Sequence, residues 1–428
     1  MNHVKKRIHI LVIGLLFLIT TPVLAAGSLD DLVESALLNN PELQAAKARW
    51  QMFGKKIDQA ESFADPKLSF AFSSYPIDSL AGDETPMTGN DLRIDQAFPF
   101  PGKLAAKGAA ARHQALWYKG VYEDTRLQLA GKIKSVWYQR YYVERAIDVT
   151  ERTLLLLDDI ARLTETRYAV GSGRQQDVLK AQLEQSRFLD RRYALQQQQA
   201  SLAAELRRLI GTDEGDIDVP EQLAIQPVEI DAAELYTVAL QQRPLFAAYR
   251  ALIDSYGAKR RFASLDSYPD VNLWVGYRFR DEAPGDRVSG TDFVSTGVSI
   301  NLPIYRKKRV AAVAEAEEGA AMARRQLTDF ENSLRATVRD YQAQIEKNLT
   351  RIELYRSGII PQAQQVIDVG LIAYQVGDLT FISLLDSLLT LDRYQLGLHR
   401  ATADYLRTLA QLEATVGGNL DLSNNKEL

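Results

Sequence analysis

The stretch "QAFPFPGKLAAKGAA", residues 96–110, changes its periodicity halfway. Upstream of it, Leu92, Ile94 and Phe98 alternate with Arg93, Asp95 and Ala97, the period of a strand. Downstream, from Lys103 to Tyr168, there is no proline and no loop cluster. Val143, Ile147, Thr150, Leu154, Leu157, Ala161 and Tyr168 trace a stripe at steps of three and four. About 65 residues at helical rise give ~100 Å of helix. Pro99 and Pro101 end the strand because proline donates no ladder hydrogen bond. Gly102 permits the turn into the helix.

The junction has a copy further along. Phe98-Pro99 lies over Leu302-Pro303, "YAVG" at Tyr168–Gly171 over "YQVG" at Tyr374–Gly377, and Ile210-Gly211 over Val416-Gly417. Leu32, Ala36, Leu37 and Pro41 match Leu235, Ala239, Leu240 and Pro244, and Pro66 matches Pro269, at a steady offset of about 203 residues. Two copies of one unit are expected, at 26–210 and 232–417, joined by an acidic linker at 211–231 and followed by a tail at 418–428. Each copy reads helix, strand, loop, strand, very long helix, turn, helix. The return helices at 175–209 and 381–416 are each ~55 Å long. A helix from Pro41 to Ser62, and its copy from Pro244, each add ~33 Å. Stacked end to end, the two shorter helices match the long one. The second long helix, from Arg309 to Tyr374, contains Pro361, which predicts a kink.

The strands are Lys67–Tyr75, Asp91–Phe98, Val271–Phe279 and Phe293–Leu302, all alternating and joined by Gly/Pro/Asp-rich loops. The alternation suits tilted strands between lipid and a wet lumen, and equally a half-buried soluble sheet. Phe98, Phe100, Tyr75, Tyr277 and Tyr305 are candidates for an aromatic girdle. Four strands cannot close in lipid, where unpaired edge groups cost several kcal/mol each. Two chains would give a filled eight-stranded barrel, and three a twelve-stranded one with room for a channel.

Lys5, Lys6 and Arg7, an apolar run at 8–19 and Val23-Leu24-Ala25 read as a signal peptide over 1–25, cleaved near Ala26. The apolar run, roughly 12 residues against the ~20 a spanning helix needs, argues against a retained anchor. The chain has no cysteine, which excludes disulfides and thiolate chemistry. Its formal charge of −4, with Lys and Arg scattered, argues against nucleic acid. No catalytic or cofactor motif is present. His113 and His399 are far apart and read as surface residues, and Gly171-Ser172-Gly173 lacks the strand and lysine of a phosphate loop. The protein is therefore expected not to be an enzyme and to need no cofactor or metal.

The duplicated pattern, "NNPEL", "QRPLF", "QAFPFPGK" and the paired "Y-x-V-G" turns together resemble the TolC family of outer-membrane efflux factors, over essentially the whole chain after the signal. The "FPFPGK" style resembles members serving heavy-metal efflux pumps. The resemblance implies a mixed α+β chain, predominantly long helices. It also implies a homotrimer whose twelve-stranded outer-membrane barrel continues into a periplasmic helical barrel, with a periplasmic adaptor and an inner-membrane pump as partners. It implies adaptor docking at Val170-Gly171-Ser172 and Val376-Gly377-Asp378. For a periplasmic gate it implies Asp386, with Ser383 where a second aspartate is often found, and Asp177 hydrogen-bonded to Tyr374 in the closed state. Leu379 stands where the family usually has an arginine, which departs from its lock. Pro99, Pro101, Gly102 and Pro303 mark the strand–helix junctions. The function expected is a passive exit duct of a tripartite efflux system. A type I protein secretion duct and a periplasmic coiled-coil tether are the alternatives.

Overall fold

A computed structural model describes residues 28–212 and 219–418. The expected signal peptide, part of the linker and nearly all of the tail lie outside the described residues. The first half contains α1 (Leu29–Asn39), α2 (Pro41–Glu61), β1 (Lys67–Ser73), β2 (Gly89–Phe98), α3 (Lys103–Ala169) and α4 (Gln175–Ile210). The second repeats that order with α5 (Ala232–Gln242), α6 (Pro244–Leu265), β3 (Val271–Phe279), β4 (Phe293–Ile300), α7 (Arg306–Glu353), α8 (Ile360–Val376) and α9 (Phe381–Val416). A π-helical turn, Leu354–Ile359, links α7 to α8.

One feature departs from expectation. The short helices α1 and α5 are separate elements, because the residue before a proline is pushed out of helical geometry. Asn40 and Arg243, ahead of Pro41 and Pro244, are both extended. At Pro361, where a kink is expected, the second long helix is interrupted by the π-turn directly before it. The proline falls in the first turn of α8, where its missing N–H costs little, and the π-turn absorbs the mismatch.

The expected end-to-end stacking is a bonded splice. Asn40 caps α2 and also donates from Nδ2 to the Leu209 carbonyl, 2.8 Å away in the last turn of α4. In the second half Arg243 donates to the Thr415 carbonyl at 2.9 Å, joining α6 to α9. Gly211 and Gly417 end α4 and α9, and a Cβ on either would lie 2.9 or 2.8 Å from the backbone of Asn39 or Arg243. Arg243 also pairs with Asp124 at 3.0 Å, tying the halves together, although burial still pushes the Asp124 carboxyl above its ordinary range.

The four strands form one antiparallel sheet in the order β1-β2-β3-β4. Its register aligns Phe70, Leu92, Tyr277 and Val294 across one face, and Ser69, Arg93, Gly276 and Ser295 across the other. The apolar face is bare: Leu68, Phe70, Phe72, Val294 and Val298 are all more than half exposed. The polar face is knitted by the Arg278–Asp91 pair at 2.7 Å and by Arg93 over the Trp274 ring at 4.1 Å. Near the strands α2 packs on α3, α3 on α6 and α6 on α7; towards the far end α4 packs on α3, α3 on α9 and α9 on α8. Helices and strands therefore share one lateral order. Among the described residues, both margins of the row, β1 with α2 and α4, and β4 with α7 and α8, lack a neighbour.

Candidate functional site

The two ends of the long helices carry the residues expected at the docking turns, the gate and the strand–helix junctions. At the far end, α3 passes to α4 and α8 to α9 through tight turns. Gly171 and Gly377 sit at φ 76° and 96°, a left-handed conformation that glycine adopts without steric cost. The Ser172 amide donates back to the Arg167 carbonyl, and the Asp378 amide to the Ala373 carbonyl, both at 2.9 Å. Val170 and Val376, about 70 % exposed, stand at the apices with Gly171, Ser172, Gly377 and Asp378.

The turns are held to each other by a residue that the sequence reading passed over. Arg167, in the last turn of α3, donates to the Tyr374 carbonyl, to the Gln375 carbonyl at 3.4 Å and to the Ser172 carbonyl at 3.3 Å. Its guanidinium lies 4.9 Å from the centre of the Tyr374 ring. Tyr374 is buried, with its hydroxyl 3.2 Å from Thr164 Oγ1. No hydrogen bond joins it to Asp177, which is half-buried in the first turn of α4. Leu379 packs into the apolar cluster around Leu384, Leu388 and Phe381.

Ser383 and Asp386 occupy the first two turns of α9. Ser383 belongs to the helix cap, its amide donating to Thr380 Oγ1, while Asp386 is exposed. Two turns further along, Asp392 is buried between three helices: Arg191 of α4 forks onto it at 2.7 and 2.9 Å, and Thr153 of α3 approaches to 3.1 Å. No local pattern announced this tie, because its members are more than two hundred residues apart.

At the strand end, Gly102 takes φ 90° between Pro101 and α3. Beside it Lys103 is buried, its Nζ donating to Asp270 at 2.8 Å, Asp266 at 3.2 Å and the Tyr268 carbonyl at 3.4 Å. Asp270 also accepts from the Phe100 amide, and Phe100 stacks on Tyr268 at 4.5 Å. Pro99 and Pro101 therefore fix a bonded corner, and Pro303 marks the equivalent corner after β4. The aromatic residues separate into two levels: Tyr75 and Tyr277 near the loops, Phe98, Phe100 and Tyr305 near the helices.

Among the described residues no helix is long and apolar enough to cross a membrane, and no cluster of His, Cys, Asp or Glu could hold a metal. His399 is half-buried rather than fully exposed. Burial, with Arg145 and Arg152 nearby, lowers its pKa to about 4.

A model of the family described as outer membrane efflux protein matches residues 32–212 and 235–418. The chain is 20 % identical to the outer membrane efflux protein BepC of Brucella suis, over 96 % of this chain and 91 % of that protein. It is 24 % identical to the outer membrane protein TolC of Escherichia coli, over 96 % and 86 %. Its fold is similar to that of the outer membrane protein VceC of Vibrio cholerae, with a TM-score of 0.76 at 20 % identity, over 91 % of this chain and 96 % of that one.

Proposed function

The chain belongs to the outer membrane efflux protein family and is thereby an outer-membrane protein of a Gram-negative envelope, and on that premise we propose that it is the passive exit duct of a tripartite efflux system. The observation that carries the reading is the pair of unfinished margins. A sheet with a bare apolar face and two unpaired edges cannot stand alone in hydrocarbon. The helices continue the strands in the same lateral order, so one head-to-tail contact repeated around an axis closes sheet and helices together. Three copies give twelve strands, enough for a channel, above a helical tube.

In this reading the internal duplication places two equivalent turns per chain at the free rim. Val170-Gly171-Ser172 and Val376-Gly377-Asp378 are the contacts for a periplasmic adaptor, which connects the duct to an inner-membrane pump. Asp386, repeated three times near the axis, concentrates negative potential at the entrance. Ser383 contributes no charge there, and Asp177 and Tyr374 flank the gate. The chain itself performs no covalent chemistry; the pump supplies the driving force.

Outer-membrane fractionation, native mass spectrometry and single-channel recording test this. A trimer in the outer-membrane fraction that conducts ions is the expected result. A soluble periplasmic protein, or an inserted monomer without conductance, overturns it.

A further inference from the structure

One of the four strand–helix junctions carries a charge that nothing among the described residues of the chain answers. After β4 the sequence runs Leu302-Pro303-Ile304-Tyr305-Arg306-Lys307-Lys308-Arg309, with no acidic residue before Glu315. Leu302, Ile304 and Tyr305 are each about 70 % exposed. In the sequence Leu302 and Ile304 continue the alternation of Val298 and Ile300 past the end of β4. Arg309 turns back to Asp266. Arg306, Lys307 and Lys308 are exposed, and their side chains have no hydrogen-bond or ion-pair partner among the described residues.

Their position is electrostatically unfavourable. They occupy the first turn of α7, where the helix dipole is positive, and that turn has no acidic residue. The junction does not require them: the matching positions of the first copy are Gly102, Lys103 and Leu104, and Lys103 is neutralised by Asp266 and Asp270. At the opposite end of the strands cations are few and stand among acidic residues: Arg280 pairs with Asp286 at 2.7 Å, and Arg287 follows Asp286 directly in sequence. An uncompensated cationic triplet thus follows directly on an apolar, membrane-facing band, at the helical end only.

We propose that residues 302–308 form a lipid anchor, in which Leu302, Ile304 and Tyr305 lie at the acyl boundary and Arg306, Lys307 and Lys308 bind anionic phospholipid headgroups of the leaflet nearest the helices. This rests on the outer-membrane duct reading, under which three copies form a basic collar below the barrel. The phosphate chemistry is shared with lipopolysaccharide, but the helical end faces the phospholipid leaflet.

Native mass spectrometry of the full-length protein in detergent, with added phosphatidylglycerol, phosphatidylcholine or lipopolysaccharide, tests the anchor. The wild type retains phosphatidylglycerol over phosphatidylcholine. Each of Arg306→Gln, Lys307→Gln and Lys308→Gln weakens that retention by about fivefold, without changing the melting temperature in lipid-free detergent. If a variant fails to assemble, the remaining ones and a salt titration of the wild type decide: high salt must strip phosphatidylglycerol and spare phosphatidylcholine. Equal retention of both phospholipids, selectivity unchanged in the variants, or preference for lipopolysaccharide overturns the proposal. An inserted, conducting trimer indifferent to headgroup sinks the anchor alone, whereas a protein absent from the outer membrane sinks the duct reading with it.

Discussion

Arg167 joins two turns that are separated by about two hundred residues, and it does so with carbonyl acceptors and a ring face rather than a carboxylate. A guanidinium offers several donors in a fixed fork, so one side chain can satisfy several carbonyls left free where helices end. Hydrogen bonds to charged groups are worth about 1.5–3 kcal/mol each. Under the proposed duct reading, Arg167→Ala is expected to loosen the rim: a higher resting conductance of the assembled duct, with outer-membrane insertion unchanged. Unaltered conductance would show that the clamp does not hold the entrance. Lys, a point charge without the fork, should restore it only in part. His399 supplies a second residue-level test. Its folded pKa of about 4 lies below the ordinary value of 6.5, so between those values the unfolded chain takes a proton that the folded chain refuses. Stability therefore falls as pH drops through that window, by about 1–3 kcal/mol for a shift of this size. His399→Gln removes this contribution. Melting temperatures of wild type and variant should diverge at pH 7 and pH 5; parallel curves would place His399 in water. Neither residue was legible beforehand. Arg167 sits inside "RYAVG", where attention goes to the glycine, and the burial of His399 depends on Tyr141 and Arg145 of α3, far away in sequence.

At the scale of elements, the sequence carried most of what matters. The bounds of α3, α4, α9 and β3 fall within a residue or two of the periodicity reading, because proline, glycine and the apolar stripe all act locally. Two things escaped it. Helices of eleven residues such as α1 and α5 are marginal alone and persist by packing on α3 and α4, or on α7 and α9. The π-turn before Pro361 contains Tyr355, which packs on Tyr394 and over Gly397 of the neighbouring α9, contacts that local sequence does not announce. The rim turns allow a clean test of element against partner. A Cβ at Gly171 would meet nothing within 4 Å, so replacement there costs conformational strain alone, about 1 kcal/mol for Ala and more for a β-branched residue. Under the proposed duct reading, Gly171→Val and Gly377→Val are expected to abolish export while the protein still inserts, since the turns lie at the ends of α3 and α8 remote from the strands. Resistance equal to wild type in both variants would count against docking at these turns.

For the whole molecule, local pattern specifies each strand and helix but not their neighbours. Register placed Phe70, Leu92, Tyr277 and Val294 on one face, yet nothing in the alternation says that β2 pairs with β3 across 170 residues, or that the helices adopt the same order. That order follows from connectivity. Each strand is joined through a short corner to its own helix, so pairing one layer fixes the other. The same logic extends past the chain. The margin formed by β4, α7 and α8 exposes Val366, Val369 and Ile372, and the opposite margin exposes Leu179, Leu183 and Tyr193. An exposed side chain in an isolated chain can be changed at a cost within about 0.5 kcal/mol. Val369→Asp should therefore leave the fold of one chain intact, whereas a carboxylate buried between copies would oppose assembly. Loss of the trimer in native mass spectrometry, with helical circular dichroism unchanged, is the expected outcome. A stable trimer carrying Asp at 369 would mean that the margins meet elsewhere, and the lateral order would then lose its bearing on how copies join.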